Sequence, residues 1–340
     1  MKEMTRRERL LATIRGEPTD RTPYAFWRHF PAVDRNPAGL AQATLRFHER
    51  YGPDFLKITP AGGYAVEEWG CVESPEVRPD GHRPCATCAV RGADDWRRIR
   101  VLDPTSAAGY SLHVETIIRM GFDRRIGDAP VLPTVFSPLS LARKLSGDRL
   151  REDLRTHPEL VRGALDAITE TLIRFADVAL TEGVSGIFYS IQAASLSLHS
   201  EAEYAEFGEP YDRRVLESLG PRSVLTVVHC HGDRLMFPRL AALPGNVWNW
   251  DDRGAGPSLA EGRAAVSGAV AGGVDQWKTL RDGTAEQAVA ETDDALAQTG
   301  ERGLIIAAGC VLPMETPDAN VAAVVRRLGG PLRPVPGAAR

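Results

Sequence analysis

Two histidines and a cysteine, each at the end of an apolar run, have the clearest capacity for chemistry. His229 and His231 end the segment Val227-Val-His-Cys-His-Gly232, and Cys310 stands in Ala307-Ala-Gly-Cys-Val-Leu-Pro313. Because side chains alternate along a strand, the two histidines point to one face and Cys230 to the other. Two imidazoles and a thiolate suit Zn²⁺, and three ligands leave a fourth position open for substrate. A His-x-His pair alone is more often a hydrogen-bonded polar pair than a metal site, and Cys310 favours the zinc interpretation.

These residues can meet only if the fold brings the ends of separate strands together. Strand-like segments alternate with helical ones, which is typical of βαβ units and a parallel sheet. Eight strand positions without a Gly-x-Gly-x-x-Gly fingerprint favour an α/β fold of the (β/α)8 TIM barrel type, whose active site lies at the carboxyl ends of the strands. The predicted strands are 23–27, 55–58, 131–135, 186–189, 223–229, 247–250, 269–272 and 303–307.

We expect residues 1–340 to form one barrel domain. Thr5 and Glu8 predict a capping box at the start of an N-terminal helix. Short runs between turn residues predict a small β-hairpin insertion at about 64–103, and the Pro/Gly/Arg-rich tail 331–340 is expected to be loose. Helices are predicted at 37–51, 151–181, 200–219, 258–266, 284–298 and 317–328.

Composition excludes several classes of function. The net charge is −4 with acidic and basic residues mixed, which argues against nucleic-acid binding and against a polybasic membrane patch. No apolar run is long enough to span a membrane, and the charged N-terminus lacks a signal peptide's apolar region. The five cysteines, an odd number, indicate reduced thiols. We therefore expect a cytoplasmic protein that acts on a small molecule.

Other polar residues near strand ends are weaker candidates. Asp251 could be the partner of a metal-bound histidine or merely a helix cap. Arg28 and His29 follow the first strand and are placed to meet a substrate, although a solvated arginine is equally plausible. Three residues at the end of the fourth predicted strand could line the pocket or cap the next turn: Tyr189, Ser190 and Gln192.

Lys57 and the remaining cysteines leave alternatives open. Lys57 is either an inward functional cation or an edge residue. Cys85 and Cys88 have the spacing of a metal or redox pair, but they lie in the predicted insertion and no second pair accompanies them. Cys71 is expected to serve packing.

Longer motifs resemble the uroporphyrinogen decarboxylase superfamily over about residues 4–328. The resemblance implies a (β/α)8 barrel that opens onto a deep cleft. The motifs are Thr5-Arg-Arg-Glu-Arg-Leu-Leu-Ala-Thr-Ile-Arg-Gly16, Asp20-Arg-Thr-Pro23, Tyr51-Gly-Pro-Asp-Phe-Leu-Lys-Ile-Thr59, Glu209-Pro-Tyr211, Gly272-Gly-Val-Asp275 and Thr316-Pro-Asp-Ala-Asn320.

The decarboxylase branch of that superfamily is a poor match in its functional residues. Its Met-Arg-Gln-Ala-Gly-Arg motif corresponds to Trp27-Arg-His-Phe-Pro31, where a second arginine is missing. Its aspartate falls near Thr59, and its tyrosine falls within residues 141–144, without a match at either place. Ser190 stands where its serine is expected, whereas Cys310 replaces the histidine of its Gly-His-Gly. These differences argue against decarboxylation of a porphyrin precursor.

The methylcobamide:thiol (coenzyme M) methyltransferase branch matches better. Its His-x-Cys-Gly and Gly-Cys-x-Leu-Pro motifs correspond to His229-Cys-His-Gly232 and Gly309-Cys-Val-Leu-Pro313. The resemblance implies Zn²⁺ on His229, His231 and Cys310, a zinc-bound thiol as methyl acceptor, and a methylated corrinoid as donor, presented by a corrinoid protein. His231 replaces a cysteine, which makes the donor set one unit less negative.

We therefore assign catalytic roles to Cys310, His231 and Asp251 and expect a zinc-dependent methyltransferase. The alternative is a decarboxylase or other lyase that acts on a smaller carboxylic acid held by Arg28. A third possibility is a protein that binds a corrinoid or tetrapyrrole without catalysis.

Overall fold

The fold is built on a seven-stranded parallel sheet. The computed structural model describes residues 2–121 and 123–334. All strands except β2 and β3 belong to this sheet, in the order β1-β4-β5-β6-β7-β8-β9. Each strand of this sheet therefore pairs with the strand of the same sheet that follows it in the sequence. In chain order the strands are β1 (Leu56–Ile58), β2 (Val72–Glu73), β3 (Cys85–Thr87), β4 (Val131–Phe136), β5 (Gly186–Ile191), β6 (Leu225–Cys230), β7 (Val247–Trp250), β8 (Ala269–Val274) and β9 (Leu304–Ala308).

The first predicted strand, 23–27, forms only one β-bridge, between Tyr24 and Ile306. The backbone N–H of Ala25 donates to the Ile306 carbonyl at 2.9 Å, and the N–H of Asp54, just before β1, donates to the Tyr24 carbonyl at 2.8 Å. The segment therefore lies between β9 and the start of β1 and hydrogen-bonds to both sides. Pro23 has no N–H to add to a ladder, which limits regular pairing.

The inner face of the sheet has its own core. Along β6, Leu225 and Val227 belong to an inner cluster, whereas Val228 belongs to the core beneath the helices, as strand alternation requires. The inner cluster draws on every strand of the large sheet except β1, on Phe55 just before β1, and on the 23–27 segment. Its members are Leu10, Ala25, Trp27, Phe55, Leu132, Phe188, Leu225, Val227, Val247, Ala269, Ala271, Ile305, Ala307 and Val311.

Helices cover the outer face of the sheet. None of the described helices is both long and apolar enough to cross a membrane. They are α1 (Arg6–Ile14), α2 (Pro37–Tyr51), α3 (Ala108–Gly121), α4 (Pro138–Ser146), α5 (Leu150–Thr156), α6 (Pro158–Thr181), α7 (Glu201–Phe207), α8 (Glu209–Ser218), α9 (Phe237–Ala241), α10 (Leu259–Ala265), α11 (Ala285–Thr299) and α12 (Asp318–Arg327).

Two predicted helices are each interrupted in the structure. The predicted helix 151–181 breaks at His157 because Pro158 disfavours helical backbone in the residue before it. The predicted helix 200–219 divides at Gly208 into α7 and α8. Both breaks fall at a residue type that interrupts helices, so the single-helix predictions were wrong for a local reason.

The N-terminal and inserted segments have short regular elements. Thr5 caps α1, since its hydroxyl accepts from the Glu8 N–H at 3.2 Å and the Glu8 carboxylate accepts from the Thr5 N–H at 2.8 Å. Within 64–103, β2 and β3 pair in antiparallel orientation. Of the predicted loose tail, residues 331–334 contain no helix or strand, and 335–340 lie outside the described residues.

Candidate metal centre

His229, His231 and Cys310 converge at the carboxyl end of the sheet. His229 is the fifth residue of β6, His231 follows its end, and Cys310 follows β9. The Cys310 Sγ lies 3.7 Å from His229 Nε2 and 3.6 Å from His231 Nδ1. One donor atom from each residue lies within 4.8 Å of the others. Tetrahedral zinc with bonds of about 2.3 Å to sulfur and about 2.0–2.1 Å to nitrogen places S and N about 3.6 Å apart. The three side chains could therefore hold a zinc ion.

Asn249 fixes the orientation of His229. The Asn249 Nδ2 donates to the carbonyls of Ala271 at 2.9 Å and Ala308 at 3.0 Å, so its Oδ1 faces His229 Nδ1 at 2.6 Å. An amide oxygen only accepts, and His229 Nδ1 must therefore carry the proton. When the ring is neutral, its lone pair is therefore on Nε2, which faces Cys310, and this is the tautomer that a metal bound at Nε2 requires.

The electrostatics of the three donors favour an anionic sulfur. Burial alone would raise the pKa of the Cys310 thiol, but hydrogen bonds and charge from His229 and His231 lower that pKa well below its usual value. Desolvation opposes protonation of His231, yet the contact with Cys310 raises its pKa overall. Cys310 is thus prepared to act as a thiolate, the form that binds metals.

A cavity of about 250 Å³ opens in front of the three donors. Its walls carry several basic side chains. The Lys57 ammonium lies 4.2 Å from the centre of the Phe188 ring, and the Lys144 ammonium lies 4.6 Å from that of Phe136. Burial lowers the pKa of Lys57 to about 8, and nearby Cys310 opposes this shift. The lining residues are His29, Lys57, Thr59, Pro60, Gly62, Asp80, His82, Arg83, Thr134, Phe136, Arg143, Lys144, Ser190, Gln192, His229, His231, Cys310 and Val311.

Three of the five predicted substrate-binding residues line this cavity: His29, Ser190 and Gln192. Among the described contacts, the buried Nδ1 of His29 has no hydrogen-bond partner. Burial, reinforced by the nearby Lys57, lowers the His29 pKa to about 3, so the ring is neutral at physiological pH.

Tyr189 and Arg28 do not line the cavity, contrary to the prediction. Tyr189 points to the outer side of β5, where its hydroxyl donates to the buried Asp212 at 2.7 Å, because its neighbours at 188 and 190 take the inward positions. The Arg28 guanidinium turns to the chain after β9 and donates to the Met314 carbonyl at 2.7 Å. Tyr189 thus connects β5 to α8 on the outer face, and Arg28 connects the segment after 23–27 to the chain after β9.

Asp251 lies beside the centre without contacting either histidine through a described hydrogen bond. Its carboxylate accepts from the Gly254 N–H at 2.9 Å and so closes the turn after β7. Burial raises its pKa, the Gly254 bond opposes this shift, and Cys310 adds to it. The Asp251 backbone also packs on Gly309, where a Cβ would come within 2.6 Å of the Asp251 Cα. Asn249 holds the place beside His229 that the sequence interpretation offered to Asp251.

The sequence interpretation missed Asn249, Arg143 and Lys144. Asn249 stands in an apolar run between two tryptophans. An amide inside an otherwise apolar strand indicates that it has a polar partner in the core, and this signal is present in the sequence. In the sheet it pairs directly with His229, a register that the sequence does not reveal. Arg143 and Lys144 lie on α4, a helix that the sequence interpretation did not predict.

Comparison with known proteins places this architecture in a family. The family model described as uroporphyrinogen decarboxylase (URO-D) matches residues 5–329. The chain belongs to the uroporphyrinogen decarboxylase family. It is 25% identical to the methylcobamide:CoM methyltransferase MtbA of Methanosarcina mazei, over 96% of this chain and 98% of that protein. It is 22% identical to a uroporphyrinogen decarboxylase of Synechococcus, over 92% and 94% of the two chains.

A solved structure supports the fold. A methyltransferase from Methanosarcina mazei superposes with a TM-score of 0.78 over 96% of this chain and 99% of that one, at 22% identity. The parallel sheet with covering helices is therefore the architecture of this uroporphyrinogen decarboxylase family member.

Proposed function

We propose that this chain is a zinc-dependent methyltransferase that moves a methyl group from a methylated corrinoid to a thiol. The convergence of His229, His231 and Cys310 on one cavity carries this proposal, and the similarity to methylcobamide:CoM methyltransferases supports it. We take the chain as a single (β/α)8 barrel domain in which residues 23–27 hold the first strand position.

The donor set has the properties that a zinc site needs. His229 and His231 offer nitrogen and Cys310 offers sulfur, and this arrangement leaves a fourth direction open toward the cavity. Zinc bound there would supply the Lewis acidity that keeps an acceptor thiol deprotonated at neutral pH. Asn249 holds the His229 ring in the correct tautomer, and the Gly309–Asp251 backbone contact positions Cys310.

The cavity walls suggest an acceptor that carries a negative group in addition to its thiol. Lys57, Arg143 and Lys144 face the cavity, and the two lysine ammonium groups lie over aromatic rings. Such cations bind and orient an anionic substituent. His231 is exposed at the mouth of the site, where a corrinoid protein could present the methyl donor.

Metal analysis and a transfer assay test the proposal together. Purified protein should contain one zinc per chain, and the Cys310→Ala variant should lose it. Protein with zinc should convert methylcobalamin and an anionic thiol into the methyl thioether, followed by corrinoid absorbance and by detection of the product. Cys230→Ala is the matched control, because Cys230 is buried on the opposite face of β6. Absence of zinc, or full transfer by Cys310→Ala, would overturn the proposal.

A decarboxylase or lyase acting on a small carboxylic acid is the second candidate. The cluster of cations in the cavity favours it, because Lys57, Arg143 and Lys144 could equally hold a carboxylate. Arg28, which the sequence assigned to that task, does not line the cavity. Turnover of a carboxylate by the metal-free protein would support this second hypothesis, whereas an activity that depends on zinc would support methyl transfer.

A further inference from the structure

Three cysteines lie together in the 64–103 insertion, separate from the candidate metal centre. The Cys85 Sγ lies 3.7 Å from the Cys88 Sγ. Cys85 is exposed, Cys88 is half-buried and Cys71 is buried, and all three are free thiols. Cys71 and Cys85 line one small cavity of about 170 Å³. An exposed thiol with a second thiol in contact is the arrangement of a redox pair.

This small cavity adjoins the candidate active site. Gly62, His82, Arg83 and Lys144 line both cavities. Cys85 therefore lies in a cavity that shares four wall residues with the cavity of the candidate metal centre.

We propose that Cys85 and Cys88 form a reversible dithiol–disulfide pair that a hydroperoxide oxidises. The Cys85 sulfur attacks the peroxide, the O–O bond breaks, and an alcohol or water leaves as Cys85 becomes a sulfenic acid. The Cys88 sulfur then attacks Cys85, the S–S bond forms, the S–O bond breaks, and the oxygen leaves as water with the Cys88 proton. Two thiols are oxidised and one peroxide is reduced.

Geometry assigns the second step to Cys88 and not to Cys71. Cys88 is already in contact with Cys85, and a disulfide needs the two sulfurs to approach to about 2.05 Å. Cys71 is buried, with its sulfur 3.6 Å from the Lys144 carbonyl, whereas Cys85 is exposed and Cys88 is half-buried. Cys71 therefore serves as the internal reference for oxidation.

Peptide mass spectrometry of the full-length protein tests this proposal. Reduced protein is treated with hydrogen peroxide, free thiols are alkylated, and the chain is cleaved after glutamate. Glu73 and Glu76 lie between Cys71 and Cys85, so such cleavage separates Cys71 from the pair. The fragment with Cys85 and Cys88 should lose two hydrogens and become resistant to alkylation, and a dithiol reductant should restore both thiols.

Two variants decide between the possible outcomes. Cys88→Ser should lose the disulfide and accumulate a sulfenic acid on Cys85, which dimedone traps, whereas Cys71→Ser should form the disulfide as the unmodified chain does. A Cys71–Cys85 disulfide, unchanged alkylation of the pair, or a stoichiometric metal ion on these cysteines would overturn the proposal. Cys310 lies in a different fragment, so failure here leaves the zinc proposal untouched, and failure of that proposal leaves this one standing.

Discussion

Replacing Asn249 by alanine should weaken metal binding although Asn249 is not a donor. Its side chain makes three hydrogen bonds in a fully buried position, one to His229 Nδ1 and two to the carbonyls of Ala271 and Ala308. Without the amide oxygen, His229 Nδ1 loses its acceptor, and the ring is free to turn or to place its proton on Nε2. The ring would then present the wrong nitrogen to the metal in part of the population.

The size of the expected loss in zinc affinity follows from what a hydrogen-bond partner contributes to a metal-binding histidine. Removing a hydrogen-bond partner of a metal-binding histidine typically costs about 10–100-fold in metal affinity, which corresponds to about 1.4–2.8 kcal/mol. The substitution also removes two hydrogen bonds to buried carbonyls, and a typical hydrogen bond contributes about 0.5–1.5 kcal/mol to folding stability. Stability and affinity must therefore be measured separately.

Asn246→Ala supplies the matched control. Asn246 lies at the opposite end of the same strand pair, where its amide donates to the Val224 carbonyl at 3.0 Å and accepts from the Thr226 N–H at 2.8 Å. Zinc affinity is measured by competition with a chromophoric chelator, and stability by denaturant unfolding of the metal-free proteins. We expect both variants to lose stability but only Asn249→Ala to lose affinity. Equal zinc affinities in the two variants would refute the argument that Asn249 sets the His229 tautomer.

Three further predictions concern single residues. Gly309→Ala should reduce zinc content, because the added Cβ would lie within 2.6 Å of the Asp251 Cα and push Cys310 out of place; metal analysis checks this. Lys57 has its pKa lowered to about 8, so its positive charge is lost as the pH rises through that value. The KM for an anionic acceptor should therefore rise above pH 8, and Lys57→Arg should abolish that rise in a pH series of initial rates. Burial raises the pKa of Asp212 from 3.8 to about 7, so the folded state binds this proton more tightly than the unfolded state. The free energy of unfolding should fall as the pH rises from 3.8 to about 7, and denaturant titrations of Asp212→Asn should lack that component.

Most of the sheet could be predicted because its strands are buried on both faces and read as apolar runs. The predicted strand at 247–250 has the bounds of β7, and the others overlap their observed strands, apart from 23–27. That segment is apolar, but its single bridge depends on how β9 and β1 approach it. The α4 helix was missed although Ser137 caps it and Pro138 opens it, two signals that the sequence does display.

The parts of the candidate site that depend on a single strand could be predicted from the sequence. The parts that depend on how neighbouring strands pair could not. The His-x-His spacing placed two donors on one face because strand alternation is local. Alternation also excludes Tyr189 from the cavity, since Ser190 lines it. Asn249 could not be paired with His229 from sequence, because that contact depends on the register between β6 and β7.

His231 and the basic side chains around the cavity have the same electrostatic effect on a thiolate bound there. A neutral imidazole in place of a thiolate leaves Cys310 as the sole anionic donor, so zinc held there would keep a larger net positive charge than with two thiolates. Lys57 and Lys144 add positive charge to the same cavity. All of these groups stabilise an anionic thiolate, and all of them reduce its nucleophilicity because they lower its basicity. The arrangement therefore favours tight binding of an anionic acceptor and requires a reactive methyl donor, which a methylated corrinoid would provide under the proposed function.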